Sequence, residues 1–193
     1  MPYKTFDRLR TDMLACTKCR LRETCTQVVP GMGDEHADIL FIGEGPGKNE
    51  DEQGLPFVGA AGKLLDEMLS SIDMDRSEVY IANVVKCRPP GNRDPQSDEA
   101  ATCRPWLDEQ IRLIDPKLIV TLGRHAMGRF LPPERYSITK DHGRALRKDV
   151  DNMGKRVILA LYHPAAALYN GSLRETLFAD FAKIPKILTS IEK

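Results

Sequence analysis

Asp38-Ile39-Leu40-Phe41-Ile42-Gly43-Glu44-Gly45-Pro46-Gly47 is the stretch on which the fold turns. Ile39, Leu40, Phe41 and Ile42 are apolar in succession, the pattern of a strand covered on both faces in a parallel sheet. The glycine-rich turn that follows sets a carboxylate at the C-terminal end of that strand. Three more runs repeat the apolar pattern: Val-Tyr-Ile-Ala-Asn-Val-Val at 79–85, Leu-Ile-Val-Thr-Leu-Gly at 118–123 and Val-Ile-Leu-Ala-Leu-Tyr at 157–162. Helical patterns fill the gaps. Residues 61–72 place Leu64, Leu65, Met68 and Leu69 on one face. Residues 98–114, led by Ser97-Asp98-Glu99, carry Trp106, Leu107, Ile111 and Ile114, and residues 173–188 close the chain as one helix. Alternating strands and helices predict a single α/β domain, residues 1–193, around a central parallel sheet. Pro89-Pro90-Gly91-Asn92-Arg93-Asp94-Pro95 predicts a long loop after the second strand.

Composition narrows the classes. The 193 residues are 41% hydrophobic, enough for a core, and Lys+Arg and Asp+Glu both number 28. Zero net charge excludes a protein that holds nucleic acid by bulk charge, though not a local basic groove. No apolar run approaches the roughly 18 residues of a membrane span. The first residues, Met1-Pro2-Tyr3-Lys4-Thr5-Phe6-Asp7, lack an apolar signal core, so a soluble cytoplasmic protein is expected.

Unusual residues gather at the C-terminal ends of the apolar runs, the edge where open α/β sheets bind ligands. Gly43-Glu44-Gly45-Pro46-Gly47-Lys48 fails the phosphate-loop pattern because it is one residue short and Asn49 follows the lysine. What remains is a turn of close backbone approach carrying Glu44, with Glu50 behind it. A solvated acidic turn would read the same way. Phe57, between Gly54 and Gly59, is placed to stack on a flat ligand. Asn83 interrupts an apolar strand, and its planar donor–acceptor amide suits a nucleobase edge as well as it suits a buried structural role. His163, ending the last strand before Pro164, can donate to a developing anion. His36, His125 and His142 read as surface or structural residues.

Five cysteines stand at 16, 19, 25, 87 and 103. The odd number argues against a disulfide framework. Cys16-Thr17-Lys18-Cys19 has the spacing of a paired metal ligand, whereas Cys87 and Cys103 are 16 positions apart, too open for a second zinc knuckle. A multi-iron cluster tolerates such spacing and prefers four thiolates. Spacing alone still allows a triple of Cys16, Cys19 and Cys25, or plain buried thiols.

Taken together these segments resemble the iron–sulfur-containing family 4 of the uracil-DNA glycosylase superfamily. The likeness rests on Cys16-x2-Cys19, on Gly43-Glu44-Gly45-Pro46-Gly47-x2-Glu50-Asp51 and on Gln53-Gly54-x-Pro56-Phe57-Val58-Gly59. It continues through Asn83-Val84-Val85-Lys86-Cys87-Arg88-Pro89-Pro90-Gly91-Asn92-Arg93, Cys103-Arg104-Pro105 and His163-Pro164. The resemblance implies an α/β/α sandwich with a four-stranded parallel sheet and excision of uracil from DNA in base excision repair. It also implies a 4Fe–4S cluster on Cys16, Cys19, Cys87 and Cys103, tying the N-terminal segment to the 87–103 loop. The partner would be uracil-containing DNA, single- or double-stranded, met by a monomer. In that frame His163 stabilises the departing uracil anion, Phe57 stacks on the ring and Asn83 reads the N3–H/O4 edge. Gly43, Gly45 and Gly47 let backbone N–H groups approach base and phosphate. Glu44 and Glu50 share two roles, orienting water and barring the thymine methyl, in an order the sequence leaves open. Relatives carry a leucine wedge four residues past the histidine; here that position is Ala167, so Leu168 or Tyr169 takes its place. Lys48, Arg124, Lys140, Arg144 and Arg147 are candidate phosphate contacts.

Two other readings compete. A uracil-DNA-binding relative would trap the base covalently with a histidine in a basic loop, for which His142 near Arg144 is the candidate. A cluster-bearing electron-transfer protein would show reversible redox chemistry and no uracil release.

Overall fold

The computed structural model of the chain describes residues 2–150 and 154–191. The N-terminal part carries helices α1 (Phe6–Leu14) and α2 (Leu21–Thr24) and a two-residue strand β1 (Met32–Gly33). Strand β2 (Ile39–Gly43) follows, then α3 (Lys48–Gln53), α4 (Ala60–Ser70), β3 (Tyr80–Asn83) and the long α5 (Ser97–Ile114). Next come β4 (Leu118–Leu122), α6 (Arg124–Gly128), α7 (Ile138–Asp141), β5 (Ala145–Asp149) and β6 (Lys155–Leu161), before α8 (Pro164–Tyr169), α9 (Gly171–Phe181) and α10 (Ile184–Ile191).

The sheet runs β1-β3-β2-β4-β6-β5. Its centre, β3-β2-β4-β6, is parallel, and the edge strands β1 and β5 pair antiparallel. The expected four parallel strands are therefore the core of a six-stranded mixed sheet. Both additions escape an apolar-run reading for one reason: an edge strand need not be covered on both faces. The segment Ala145–Asp149 alternates exposed and half-buried residues, and β1 is only two residues long.

Alternation along each central strand feeds two cores. Leu40, Ile42, Ala82, Ile119 and Ile158 pack on one face against Leu9 and Met13 of α1 and Leu107 and Ile111 of α5. Ile39, Phe41, Ile81, Val120 and Leu159 pack on the other against Leu64, Leu65 and Met68 of α4 and Phe181 of α9. Each such buried side chain contributes about 1.5–3 kcal/mol, so the sheet sits between two helical layers that each hold it firmly. The Phe41 and Phe181 rings stack at 5.5 Å between centroids. The expected last helix is broken into α9 and α10, with Pro185, which lacks the N–H a continuous helix requires, in the first turn of α10.

Parallel registry brings the strand ends level. Gly43 pairs with Asn83 across β2 and β3, and Leu122 pairs with Leu161 across β4 and β6. After β3 the chain crosses back over β2 to form β4, so the strand order reverses beside β2. That reversal opens a crevice at the C-terminal edge.

Candidate active site

A cleft of about 440 Å³ occupies that crevice, walled by Glu44, Gly45, Pro46, Gly47 and Glu50 on the β2 side. Phe57, Asn83 and His163 complete its interior, and Asn92, Arg93 and Asp94 of the long loop form a rim. The fold thus brings together Glu44, Gly45, Gly47, Glu50, Phe57, Asn83 and His163 from four separate stretches of chain. Gly43 lies just beneath. A Cβ there would meet Asn83 Oδ1 at 2.4 Å and the Phe57 ring at 2.7 Å, so glycine is required for both side chains to reach the cleft.

Asn83 is buried at the end of β3, and its Oδ1 has no hydrogen-bond partner. An orphaned buried acceptor costs about 1–3 kcal/mol, a cost that a ligand N–H would relieve. The backbone beyond it is stitched down: Val84 and Val85 donate to the carbonyls of Gly43 and Glu44 at 2.9 and 3.1 Å.

Phe57 adopts a left-handed backbone conformation, φ 53°, strained for an aromatic residue. Three groups hold it there. Glu50 Oε1 accepts from the N–H groups of Val58 and Gly59, both at 2.9 Å. Arg76 donates to the Phe57 carbonyl at 2.9 Å and to the Pro56 carbonyl, and is itself paired with Asp66. Gly62 of α4 abuts the Phe57 carbonyl so closely that a Cβ would sit 1.8 Å from it. Glu50 therefore spends one oxygen on loop 54–59, and its second faces Gly47.

His163 caps α8: its Nδ1 accepts the Ala165 N–H at 3.1 Å. A ring nitrogen that accepts carries no proton, so the neutral imidazole holds its proton on Nε2. Burial pushes the His163 pKa down to about 4. Its ring lies against Phe57, centroids 5.5 Å apart and planes inclined by 26°.

Glu44 is half-buried, and desolvation raises its pKa above the ordinary carboxylate value despite His125 and Arg124 nearby. His125 Nε2 lies 3.8 Å from Glu44 Oε2 and 3.1 Å from Asp94 Oδ2, and Arg124 pairs with Asp94 at 2.6 Å. Sequence reasoning set His125 aside; it stands beside the cleft carboxylate, on the first turn after β4.

The other candidates scatter. Arg124 is at the rim, and Lys48 faces Glu52 at 3.8 Å on exposed α3. Lys140 on α7, Arg144 between α7 and β5, and Arg147 on β5 do not line the cleft. Ala167 is buried, whereas Leu168 and Tyr169 at the end of α8 are 45% and 92% exposed. His142, the candidate for a covalent trap, is bound through Nδ1 to buried Asp180 at 2.5 Å and packs on Tyr162.

Behind the long loop lies a second, small cavity lined by Cys16, Cys19, Cys87 and Cys103 with Met13, Leu21 and Trp106. Two N–H groups point at its sulfurs: Trp106 Nε1 to Cys16 Sγ and the Lys86 backbone to Cys103 Sγ, both at 3.3 Å. Burial raises the thiol pKa of Cys87 and of Cys103. Cys25 is buried next to Cys87 and Arg22 but does not line this cavity. Among the described residues no three thiol sulfurs lie within 4.8 Å of one another. A single tetrahedral zinc would draw its sulfurs closer than that, since each sits about 2.3 Å from the metal.

One determinant went unread. Glu99, fully buried, accepts a fork from Arg93 at 2.7 and 2.8 Å, a bond from Arg20 Nε at 2.8 Å and the Gln96 N–H at 2.8 Å. It ties the segment beside Cys19 to the long loop. Its only sequence signal was an acid in the first turn of a helix, which reads as an ordinary cap.

At its C-terminal edge the α/β sheet thus holds an aromatic ring, a buried amide oxygen without a partner and a neutral histidine in one cleft, the lining of a pocket for a flat polar ligand. Residues 30–185 match the family model described as Uracil DNA glycosylase superfamily. The chain is 46% identical over 192 residues to the type-4 uracil-DNA glycosylase of Sulfurisphaera tokodaii, covering 95% of this chain and 84% of that one. It is 46% identical over 188 residues to the type-4 uracil-DNA glycosylase of Archaeoglobus fulgidus, covering 95% and 94%. That of Thermotoga maritima is 44% identical over 170 residues, covering 87% and 86%. The chain belongs to the uracil-DNA glycosylase superfamily, in its type-4 family.

Proposed function

We propose that this chain hydrolyses the N-glycosidic bond of deoxyuridine in DNA, releasing uracil and leaving an abasic site for repair. The observation that carries the reading is the orphaned Asn83 Oδ1 at the cleft floor. Uracil offers an N3–H donor beside the O4 acceptor, which an amide matches with Oδ1 and Nδ2. Cytosine reverses both groups. The base must leave the stack first, because its reacting bond is shielded in the duplex. Leu168 or Tyr169, both exposed at the end of α8, fills the gap it leaves.

In the reaction the C1′–N1 bond breaks, its electrons pass to uracil, water oxygen bonds C1′, and the water proton goes to the base. Phe57 holds the ring. His163 donates Nε2–H to O2 as charge builds there, which requires only the neutral imidazole its burial favours. Of the two carboxylates, Glu44 faces the developing sugar cation and orients the water, because its oxygens are not spent on backbone. Glu50 fixes the loop that carries Phe57.

Cys16, Cys19, Cys87 and Cys103 hold a 4Fe–4S cluster. Buried and half-buried thiols around one cavity, with N–H donors aimed at the Cys16 and Cys103 sulfurs and spacing wider than one ion allows, suit the ligand set of a multi-iron cluster. The cluster supplies a tie between the N-terminal segment and the 87–103 loop, alongside the one Glu99 makes. The enzyme acts as a monomer in the cytoplasm, and no described helix is long and apolar enough to cross a membrane.

Purified protein is incubated with single-stranded, U:G and U:A oligonucleotides, and its absorbance is scanned. Alkali-labile abasic sites at uracil together with a brown chromophore are expected. A denaturant-resistant protein–DNA adduct, or redox cycling without uracil release, would replace this reading with one of its rivals.

A further inference from the structure

Lys86 carries a charge into the interior that the proposed chemistry does not use. It is 2% exposed, between the cleft and the thiol cavity. Its Nζ donates to the Asn83 carbonyl at 2.7 Å and to Gln110 Oε1 at 2.6 Å. Gln110, fully buried on α5, is anchored in turn: its Nε2 donates to the Pro30 carbonyl at 2.7 Å and to the Tyr80 hydroxyl at 3.4 Å. The Lys86 backbone N–H donates to Cys103 Sγ at 3.3 Å.

We propose that Lys86 is a positioning residue for base recognition, holding Asn83 in its reading orientation by gripping the Asn83 carbonyl. The proposal rests on Asn83 reading the uracil edge. Asn83 ends β3, so its carbonyl lies where the ladder stops. That carbonyl sits on the ψ side of the Cα. Anchoring it fixes the direction in which the side chain leaves the backbone, and hence where an otherwise unpartnered Oδ1 stands. Space-filling alone gives no reason for an ammonium here, because methionine has the same reach without the desolvation cost of a buried charge. The two acceptors Lys86 has found are the reading residue and a glutamine braced on both sides, an arrangement that transmits rigidity from α5 to the cleft floor.

The test is a double-mutant cycle of Lys86→Met and Asn83→Ala, read by single-turnover uracil excision at saturating enzyme, with melting midpoint and brown absorbance recorded for all four proteins. If Lys86 acts through Asn83, Lys86→Met slows the native chain by roughly tenfold or more but the Asn83→Ala chain by less than about threefold. The same factor in both backgrounds, or no slowing of the native chain, overturns the proposal. Asn83→Ala excising uracil at the native rate instead removes the base-reading role on which it stands. If Lys86→Met does not fold, Gln110→Met, which keeps the lysine and removes its brace, is taken through the same cycle and judged by the same outcomes.

Discussion

Replacing His163 with alanine separates the chemical step from everything else the residue does. Its Nδ1 is committed to the Ala165 N–H, and burial lowers its pKa to about 4, so near pH 7 only about one molecule in 10³ carries a second proton. The catalytic group is then the Nε2–H of a neutral ring. A single donor aimed at charge that develops in the transition state is worth about 2.7–4 kcal/mol, or roughly 10²–10³ in rate. The alanine variant also loses the cap on α8, which costs about 1 kcal/mol of stability. That is too little to unfold the chain. Single-turnover excision on a uracil oligonucleotide should fall by about 10²–10³, with affinity for abasic product nearly unchanged.

The pH profile tests the protonation state. A catalytic imidazolium would make the native rate climb about tenfold for each unit of acidification from pH 7 to 5, because its population would do so. The neutral donor predicts no such climb. Stability moves the other way: between the unfolded value near 6.5 and the folded value of about 4, only the unfolded chain takes up this proton. The native protein therefore loses stability as pH falls through that window, and the alanine variant loses less. An unchanged single-turnover rate in the variant, or a native rate that rises on acidification, refutes the reasoning.

Three further outcomes are expected. Alanine at Cys16, Cys19, Cys87 or Cys103 should bleach the brown absorbance and lower the melting midpoint, while Cys25→Ala preserves both; a colourless Cys25→Ala protein would put a different thiol in the ligand set. Glu99→Gln leaves two partly exposed arginines facing an uncharged amide and should lower stability in a denaturant titration. Because Arg93 and Arg20 hold Glu99 down to about 2, that difference should persist unchanged to about pH 4.5 and shrink only toward pH 2. The proposed role of Glu44 needs the carboxylate and burial raises its pKa, so excision should fail on acidification above the ordinary carboxylate range, and His125→Ala should move that limb higher still. A limb that stays in place in His125→Ala separates the two groups.

The parallel centre of the sheet was legible because each of its strands is covered on both faces, which writes a continuous apolar run into the sequence. Edge strands obey no such constraint and stayed hidden. That Phe57, Asn83 and His163 would meet in one cleft was legible because each is odd for its place: an aromatic among glycines, an amide in an apolar strand, a histidine at a strand end. The division of labour proposed for Glu44 and Glu50 was not. Both are carboxylates on one turn, and what separates them is that Val58 and Gly59, eight and nine residues past Glu50, aim their N–H groups at it. Arg76, Glu99 and Gln110 lay further out of reach, since each binds at least one group 19 to 80 residues away along the chain.

These long-range partners share a pattern. Arg76 and Glu50 hold Phe57 in a left-handed conformation it would not choose, and the stitching of residues 83–85 to β2 fixes an amide whose oxygen goes unpaired. Helix α8 directs its N–H at His163 and thereby selects the tautomer that can donate. The first two arrangements cost the folded chain something locally and are maintained by bonds made elsewhere. In the proposed reaction uracil supplies what each lacks: a face for Phe57, an N3–H for Asn83 and a developing negative charge for His163. Folding has thus already met the reorganisation cost that the reaction would otherwise meet at its transition state, which is where electrostatic preorganisation has its largest effect.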